Sequence, residues 1–187
     1  MEKAAATAAK NIERQVVDNL KGAIRNIPDF PKKGILFRDI TTLLKDGQKF
    51  RDTVKLIARK YKDKNINKVV AIEARGFIFG AAVAYELGAG FVPVRKKGKL
   101  PAKVAEISYD LEYGQDTLQM HQDAICPQDK VLIVDDLLAT GGTARAVCQL
   151  LEKFNAQVAG IDFLIELTAL KGREKLSGYP VNTILTF

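Results

Sequence analysis

The sequence predicts one α/β domain in which helices cover a central, mostly parallel sheet. Three observations lead there. Val69-Val70-Ala71-Ile72 and Val131-Leu132-Ile133-Val134 are uninterrupted apolar runs, the pattern of strands buried on both faces. Each is followed by a loop of small or charged residues and then by helical periodicity, the opening of a βαβ unit. At 187 residues, 47% hydrophobic and 27% charged, the chain suits one core and is too short for two full ones. Right-handed crossovers then gather the functional loops at the carboxyl end of the sheet.

Taken in order, residues 1–10 are Ala-rich without an apolar leader core, and a frayed or disordered tail is expected there, with the domain occupying 11–187. Ile12, Val16, Leu20 and Ile24 recur every fourth residue, the stripe of an amphipathic helix ending before Pro28. Pro28-Asp29-Phe30-Pro31-Lys32-Lys33-Gly34 is a stiff, turn-rich segment leading to Ile35-Leu36-Phe37-Arg38. Asp46 is placed to cap a helix that carries Phe50, Val54, Ile57 and Tyr61 on one face. The first buried strand follows, then Glu73-Ala74-Arg75-Gly76 and a helix over 77–87 that stops at Gly88. Phe91-Val92-Pro93-Val94 is the next strand; Pro93 has no N–H for the ladder, which argues for an edge or a strand end. The basic run Arg95-Lys96-Lys97-Gly98-Lys99 is expected to be a long loop, and residues alternate as in a hairpin on either side of Gly114. The second buried strand, a helix over 143–154 and a strand over 158–167 complete the pattern.

Lys and Arg total 29 against 22 Asp and Glu, a net charge of +7 that favours an anionic partner. Cys126 and Cys148 stand 22 positions apart without zinc-ligand spacing or a disulfide framework, which suits a reducing, cytoplasmic setting. No run approaches the ~20 apolar residues of a membrane span. His121, the only histidine, fits no catalytic pattern.

The richest chemistry lies in Val131-Leu132-Ile133-Val134-Asp135-Asp136-Leu137-Leu138-Ala139-Thr140-Gly141-Gly142-Thr143. The strand delivers two carboxylates, Asp135 and Asp136. Ala139, Thr140, Gly141, Gly142 and Thr143 then form a small-residue loop opening a helix, where backbone N–H groups, two hydroxyls and the helix dipole can surround a phosphate. Carboxylates accept hydrogen bonds from sugar hydroxyls, so the spacing suits a ribose 5-phosphate. A strand ending in Asp-Asp also occurs in P-loop NTPases, but those need G-x-x-x-x-G-K-[ST], and Gly98-Lys99 here is followed by Leu100 and has Pro93 where the leading Gly belongs.

This stretch resembles the phosphoribosyl pyrophosphate motif of the type I phosphoribosyltransferases, in the version carried by the adenine-using members. Pro28-Asp29-Phe30-Pro31, Phe37-Arg38-Asp39-Ile40, Arg75-Gly76-Phe77, Arg95 through Pro101, Ser108-Tyr109, Leu111-Glu112-Tyr113-Gly114 and Glu166-Leu167-Thr168 with Leu170 through Glu174 are similar to that family in the same order, over about 27–187. The resemblance implies a Rossmann-like fold with a small N-terminal hood, about 11–45, and a flexible lid, about 95–113. It implies transfer of the phosphoribosyl group from phosphoribosyl pyrophosphate to adenine, giving AMP and pyrophosphate, in a homodimer. Magnesium is implied as cofactor, held mainly by substrate and with no direct protein ligand; no nucleic acid or membrane partner is implied. A sensor that binds the ligand and DNA without chemistry is the rival class, and it would need more than one N-terminal helix.

Carried over by resemblance, Arg75, Lys99 and Arg95 contact pyrophosphate, Arg95 from the neighbouring subunit. A surface Arg in a turn and a solvated charge run are the alternatives for them. Ser108 and Tyr109, with Tyr113, belong to the lid that excludes water. Glu112 assists proton movement at the base, unless it is an ordinary strand-surface Glu. Leu36 and Arg38 offer backbone groups to adenine while Phe37 stacks on it; a core Phe is the alternative. The family's non-proline cis peptide is expected at Ala74-Arg75.

Overall fold

The computed structural model describes residues 2–110 and 114–187. Its contacts divide the chain into two compact units, Met1–Thr53 and Val54–Phe187, where the sequence suggested a single domain with a hood ending near 45.

In the first unit, α1 (Glu2–Gly22) already includes residues 2–10, so the expected tail is helical. Its run of Ala, the strongest helix former, accounts for this. The helix also ends sooner than the periodicity suggested. Gly22 is a poor helix former, and Arg25–Ile27 is drawn into β1, antiparallel to β2 (Phe37–Asp39). Arg25 donates from Nε to Asp39 Oδ2 at 2.9 Å, and Asp39 Oδ1 accepts the Thr41 N–H at 2.9 Å to start α2 (Thr41–Leu44). Between the strands, Phe30-Pro31 is cis, and Gly34, at φ 88°, donates its N–H to Asp29 Oδ1 at 2.7 Å. Asp46 caps α3 (Gly47–Ala58) as expected, accepting from the Gln48 and Lys49 N–H groups; α3 crosses the boundary between the units.

The second unit is a seven-stranded sheet in the order β5-β6-β4-β3-β7-β8-β9. It contains β3 (Lys68–Ile72), β4 (Gly90–Lys96), β5 (Val104–Asp110), β6 (Gln115–His121), β7 (Lys130–Leu138), β8 (Gln157–Glu166) and β9 (Val181–Thr186). Strands β4, β3, β7, β8 and β9 are parallel, and the β5–β6 hairpin joins antiparallel to β4. Helix α4 (Gly76–Leu87) follows β3 and stops at left-handed Gly88; α5 (Gly142–Glu152) follows β7. Alternation along the strands splits the core. Val70, Ile72, Val131, Ile133, Ile161 and Phe163 pack with Val147, Leu150 and Leu151 of α5. Ala71 points to the other face, where its Cβ nearly touches Gly80 of α4. Each fully buried Val, Leu or Ile stabilises this arrangement by about 1.5–3 kcal/mol.

Pro93 lies inside β4, opposite Ala71. It is tolerated because β6 reaches β4 only at Arg95 and Lys96, leaving the other side of Pro93 open as on an edge. Asp135 and Asp136 lie within β7 rather than beyond it. The basic run is not a long loop: Arg95 and Lys96 close β4, and a tight turn leads towards β5. Of the expected lid, residues 104–110 form β5, which pairs with β6, and 111–113 lie outside the described residues. Among the described residues no helix is long and apolar enough to cross a membrane.

Candidate active site

Four chain segments of the second unit converge at the carboxyl ends of β3, β4 and β7. The first is β7 with the loop after it. Gly141, at φ 78°, turns the chain into α5, leaving the N–H groups of that first helical turn without intrahelical partners. A small cavity of about 80 Å³ is lined by Asp135, Leu137, Leu138, Ala139, Thr140, Gly141, Thr143, Ala144 and Phe163, with room for a phosphate-sized group. A larger one of about 360 Å³ adjoins it, sharing Asp135, Leu137 and Thr143 and adding Glu73, Ala74, Arg75, Lys96, Tyr109, Asp116 and Asp136.

The second segment is the turn from β3 into α4. Arg75 forms an ion pair with Asp136, Nε to Oδ2 at 2.7 Å, joining two residues expected to serve different parts of the ligand. Gly76 packs against β7 so closely that a Cβ there would stand 2.6 Å from Asp135 Oδ1, so only glycine lets the turn reach the acidic pair. The cis peptide lies one bond before the expected position, at Glu73-Ala74.

The two aspartates are electrostatically costly. Burial pushes the Asp135 carboxyl well above its ordinary range, and the neighbouring Asp136 charge adds to this, against the Asp136 N–H that Asp135 Oδ1 accepts at 2.9 Å. Burial raises Asp136 too, with the Arg75 guanidinium opposing.

The third segment is the end of β4. Glu73 receives three donors there: Arg95 Nε at 3.0 Å on Oε2, and the Lys96 N–H at 2.9 Å with Lys99 Nζ at 3.0 Å on Oε1. Burial alone would raise this carboxyl, but the three donors outweigh it and hold it below its usual value. Lys96 Nζ pairs with Asp116 Oδ2 at 3.0 Å. From the fourth segment, the hairpin, the Tyr109 hydroxyl lies 3.2 Å from Thr143 Oγ1 in the first turn of α5.

The structure therefore gathers Arg75, Asp135, Asp136, Tyr109 and the loop 139–143 around the two cavities. Arg95 and Lys99 reach this region through Glu73 of their own chain. Ser108 is exposed and bonded to Thr117 Oγ1 at 2.9 Å, away from both cavity linings. Glu112 and Tyr113 lie outside the described residues. Leu36, Phe37 and Arg38 belong to the first unit, where Leu36 is exposed, Phe37 sits edge-on to Phe30 with centroids 5.1 Å apart, and Arg38 Nη1 donates to Asn26 Oδ1. Sequence reasoning missed Glu73, whose only signal was an acid directly before the Arg75 loop. It also missed Gly172, which touches the loop at Ala139 and Gly141 from a distant turn.

A parallel sheet with an acidic pair and a phosphate-sized loop at its carboxyl end defines a class of sugar-phosphate-binding α/β proteins. The phosphoribosyl transferase domain model matches residues 40–184. The adenine phosphoribosyltransferase of Clostridium perfringens is 59% identical over 169 residues, covering 90% of this chain and 98% of the relative. Among solved structures, adenine phosphoribosyltransferase from Thermoanaerobacter pseudethanolicus superposes with a TM-score of 0.88 at 50% identity, covering 91% of this chain and 99% of its own. The Saccharomyces cerevisiae enzyme, solved with an imino-altritol bisphosphate and adenine, gives 0.87 at 39% identity, covering 92% and 99%. The chain belongs to the phosphoribosyltransferase family, within its adenine phosphoribosyltransferase branch.

Proposed function

We propose that the chain transfers the 5-phosphoribosyl group of phosphoribosyl pyrophosphate to N9 of adenine, releasing AMP and pyrophosphate in purine salvage. The observation that carries this reading is the pair of adjoining cavities sharing Asp135, Leu137 and Thr143. The smaller suits the 5-phosphate, and the acidic pair at the junction suits the ribose hydroxyls. The larger, with Arg75 and Lys96 on its wall and Lys99 and Arg95 held by Glu73, suits a pyrophosphate.

Transfer proceeds by lengthening of the C1–pyrophosphate bond, with positive charge building on the ribose and negative charge on the leaving group. Asp135 and Asp136 hold the ribose through its hydroxyls, and the backbone of 139–143 fixes the phosphate end. The Arg75 fork takes leaving-group oxygens, exchanging Asp136 for them. Tyr109 closes over Thr143 to keep water from the reacting carbon. Leu36, Phe37, Arg38 and Glu112 are proposed for adenine on the strength of the family pattern, with Glu112 accepting the proton of the attacking base. Ser108 and Tyr113 are assigned to the lid on the same ground.

Magnesium fits the donor chemistry of the larger cavity, where Asp135 and Asp136 offer hard oxygens beside the proposed pyrophosphate position. Substrate oxygens would be its main ligands; when bound it supplies charge neutralisation on the leaving group. A homodimer is the proposed assembly, supported by the exposed Ile78 and Tyr85 on α4, and the cytoplasm is the proposed setting, supported by two free cysteines.

The experiment is AMP formation from adenine and phosphoribosyl pyrophosphate with and without magnesium, with hypoxanthine and guanine in parallel. Magnesium-dependent product from adenine alone is expected; absence of AMP, or preference for another base, overturns the reading.

A further inference from the structure

Glu73 carries no role in the reaction proposed above, yet it is the most densely bonded carboxylate bordering the larger cavity. Its side chain is only 7% exposed, and its two oxygens take the Arg95 guanidinium, the Lys99 ammonium and the Lys96 backbone N–H. Arg95 also donates from Nη1 to the Lys99 carbonyl at 2.9 Å, tying the two cationic residues to each other. Without Glu73, two long flexible cations, Arg95 at the end of β4 and Lys99 on the turn after it, would repel one another.

We propose that Glu73 is a positioning residue that holds Lys99 and Arg95 as a preformed cationic clamp for pyrophosphate. This deepens the phosphoribosyl-transfer reading and rests on it. Two opposed effects decide the sign. The carboxylate is itself an anion and repels pyrophosphate; the same carboxylate fixes two side chains whose ordering would otherwise be charged against binding. Ordering wins here. The single negative charge is shared among two full positive charges and an N–H, so the cluster carries a net positive charge next to the cavity that Glu73 lines. The Lys96 N–H anchors the carboxylate to the backbone, so an arriving anion does not sweep it aside. An amide at this position keeps the shape but turns one donor towards a cation and releases it.

Pyrophosphate binding, measured by titration calorimetry with magnesium, tests this without turnover. Glu73→Gln is expected to weaken pyrophosphate on the order of tenfold, while the KM for adenine stays within about twofold. The diagnostic is the same substitution in the Arg95→Ala/Lys99→Ala background, where it is expected to add little, because the residues it acts through are gone. Equal losses in both backgrounds, or tighter pyrophosphate binding by Glu73→Gln, overturn the proposal. Should Glu73→Gln not fold, Glu73→Asp, which keeps the charge but shortens the reach, is measured in both backgrounds with the same non-additivity expected. Wild-type protein that binds pyrophosphate yet makes no AMP leaves the clamp standing and refutes the transferase reading. Wild-type protein that binds no pyrophosphate refutes both.

Discussion

Gly172→Ala is expected to disable the phosphate loop from outside it. Gly172 begins a 3-10 turn and lines neither cavity, yet a Cβ built there would lie 2.1 Å from the Ala139 carbonyl oxygen and 3.0 Å from Gly141 N. Ordinary contact begins at 3.4 Å, so the carbonyl must retreat by about 1.3 Å, and as backbone it has no rotamer in which to hide. The turn yields less readily than the loop. Arg173 next to it grips Glu166 through two hydrogen bonds of 2.5 and 3.1 Å and donates to the Val181 carbonyl at 2.7 Å, and Leu176 is buried beneath. The loop is therefore the part that moves. Misplacement of a binding group by ~1 Å costs on the order of 10²-fold in rate, about 2.7 kcal/mol of transition-state stabilisation. Steady-state assays with phosphoribosyl pyrophosphate varied at saturating adenine are expected to show kcat/KM reduced about 100-fold, with the KM for adenine within about twofold. Gly141→Ala, whose Cβ meets the Gly172 carbonyl at 2.3 Å, is expected to match it and lose a further ~1–2 kcal/mol of stability because its φ of 78° disfavours L residues. Wild-type kinetics for Gly172→Ala, whether or not its melting temperature falls, would refute the reasoning, since the turn would then have absorbed the displacement.

Asp135→Asn is expected to lose ~1.5–3 kcal/mol in kcat/KM for phosphoribosyl pyrophosphate. It should also melt at a higher temperature than wild type at pH 7. A raised folded-state pKa lends stability below the ordinary 3.8 that is lost as pH rises through the folded value, so the gap should open above about pH 4 and close below it. A gap independent of pH, or wild-type kinetics, counts against the assignment. Phe37→Ala should raise the KM for adenine severalfold and leave that for phosphoribosyl pyrophosphate unchanged; equal effects on both would mark Phe37 as a partner of Phe30 only. Asp162→Ala should destabilise the protein by about 3 kcal/mol without altering either KM. Asp162 is fully buried in β8, where Lys60 Nζ at 2.7 Å, Tyr61 Oη at 2.5 Å and Asn182 at 3.4 Å depend on it; chemical denaturation measures the loss.

What the sequence made legible was whatever depends on neighbours along the chain. The runs at 69–72 and 131–134 are strands because consecutive apolar side chains serve both faces of one buried element. Asp46 and Gly88 mark helix ends because capping is local. The acidic pair and the loop after it were legible for the same reason. Errors came where a distant partner decided. Arg25–Ile27 left the helical pattern because Asp39, fourteen residues on, offers Arg25 a buried carboxylate. The strand β9 went unseen because its residues are mostly half-buried at the sheet's edge, with a diluted apolar pattern. Gly172 was unremarkable in sequence because the contact that requires glycine lies with residues more than thirty positions earlier. The basic run showed its charge but not its shape, which Glu73 sets from the end of the neighbouring strand β3.

The carboxylates of the site fall into two kinds, and the difference identifies what the ligand must bring. Glu73 is satisfied by the protein itself: three donors hold its carboxyl down, so a ligand gains nothing by approaching it. Asp135 and Asp136 are the reverse. Burial pushes both up, the Asp136 charge raises Asp135 further, and the Arg75 guanidinium beside Asp136 opposes the rise. When pyrophosphate claims Arg75, Asp136 loses that support, so the same ligand must return donors to the pair. A phosphate brings mainly acceptor oxygens and further negative charge to two carboxylates, whereas the vicinal hydroxyls of a ribose donate without adding charge. Pyrophosphate therefore should bind more weakly than its charge suggests, and the ribosylated form should recover the difference. The electrostatic strain in β7 thus selects for a ligand carrying sugar and pyrophosphate together, which is the substrate that phosphoribosyl transfer requires.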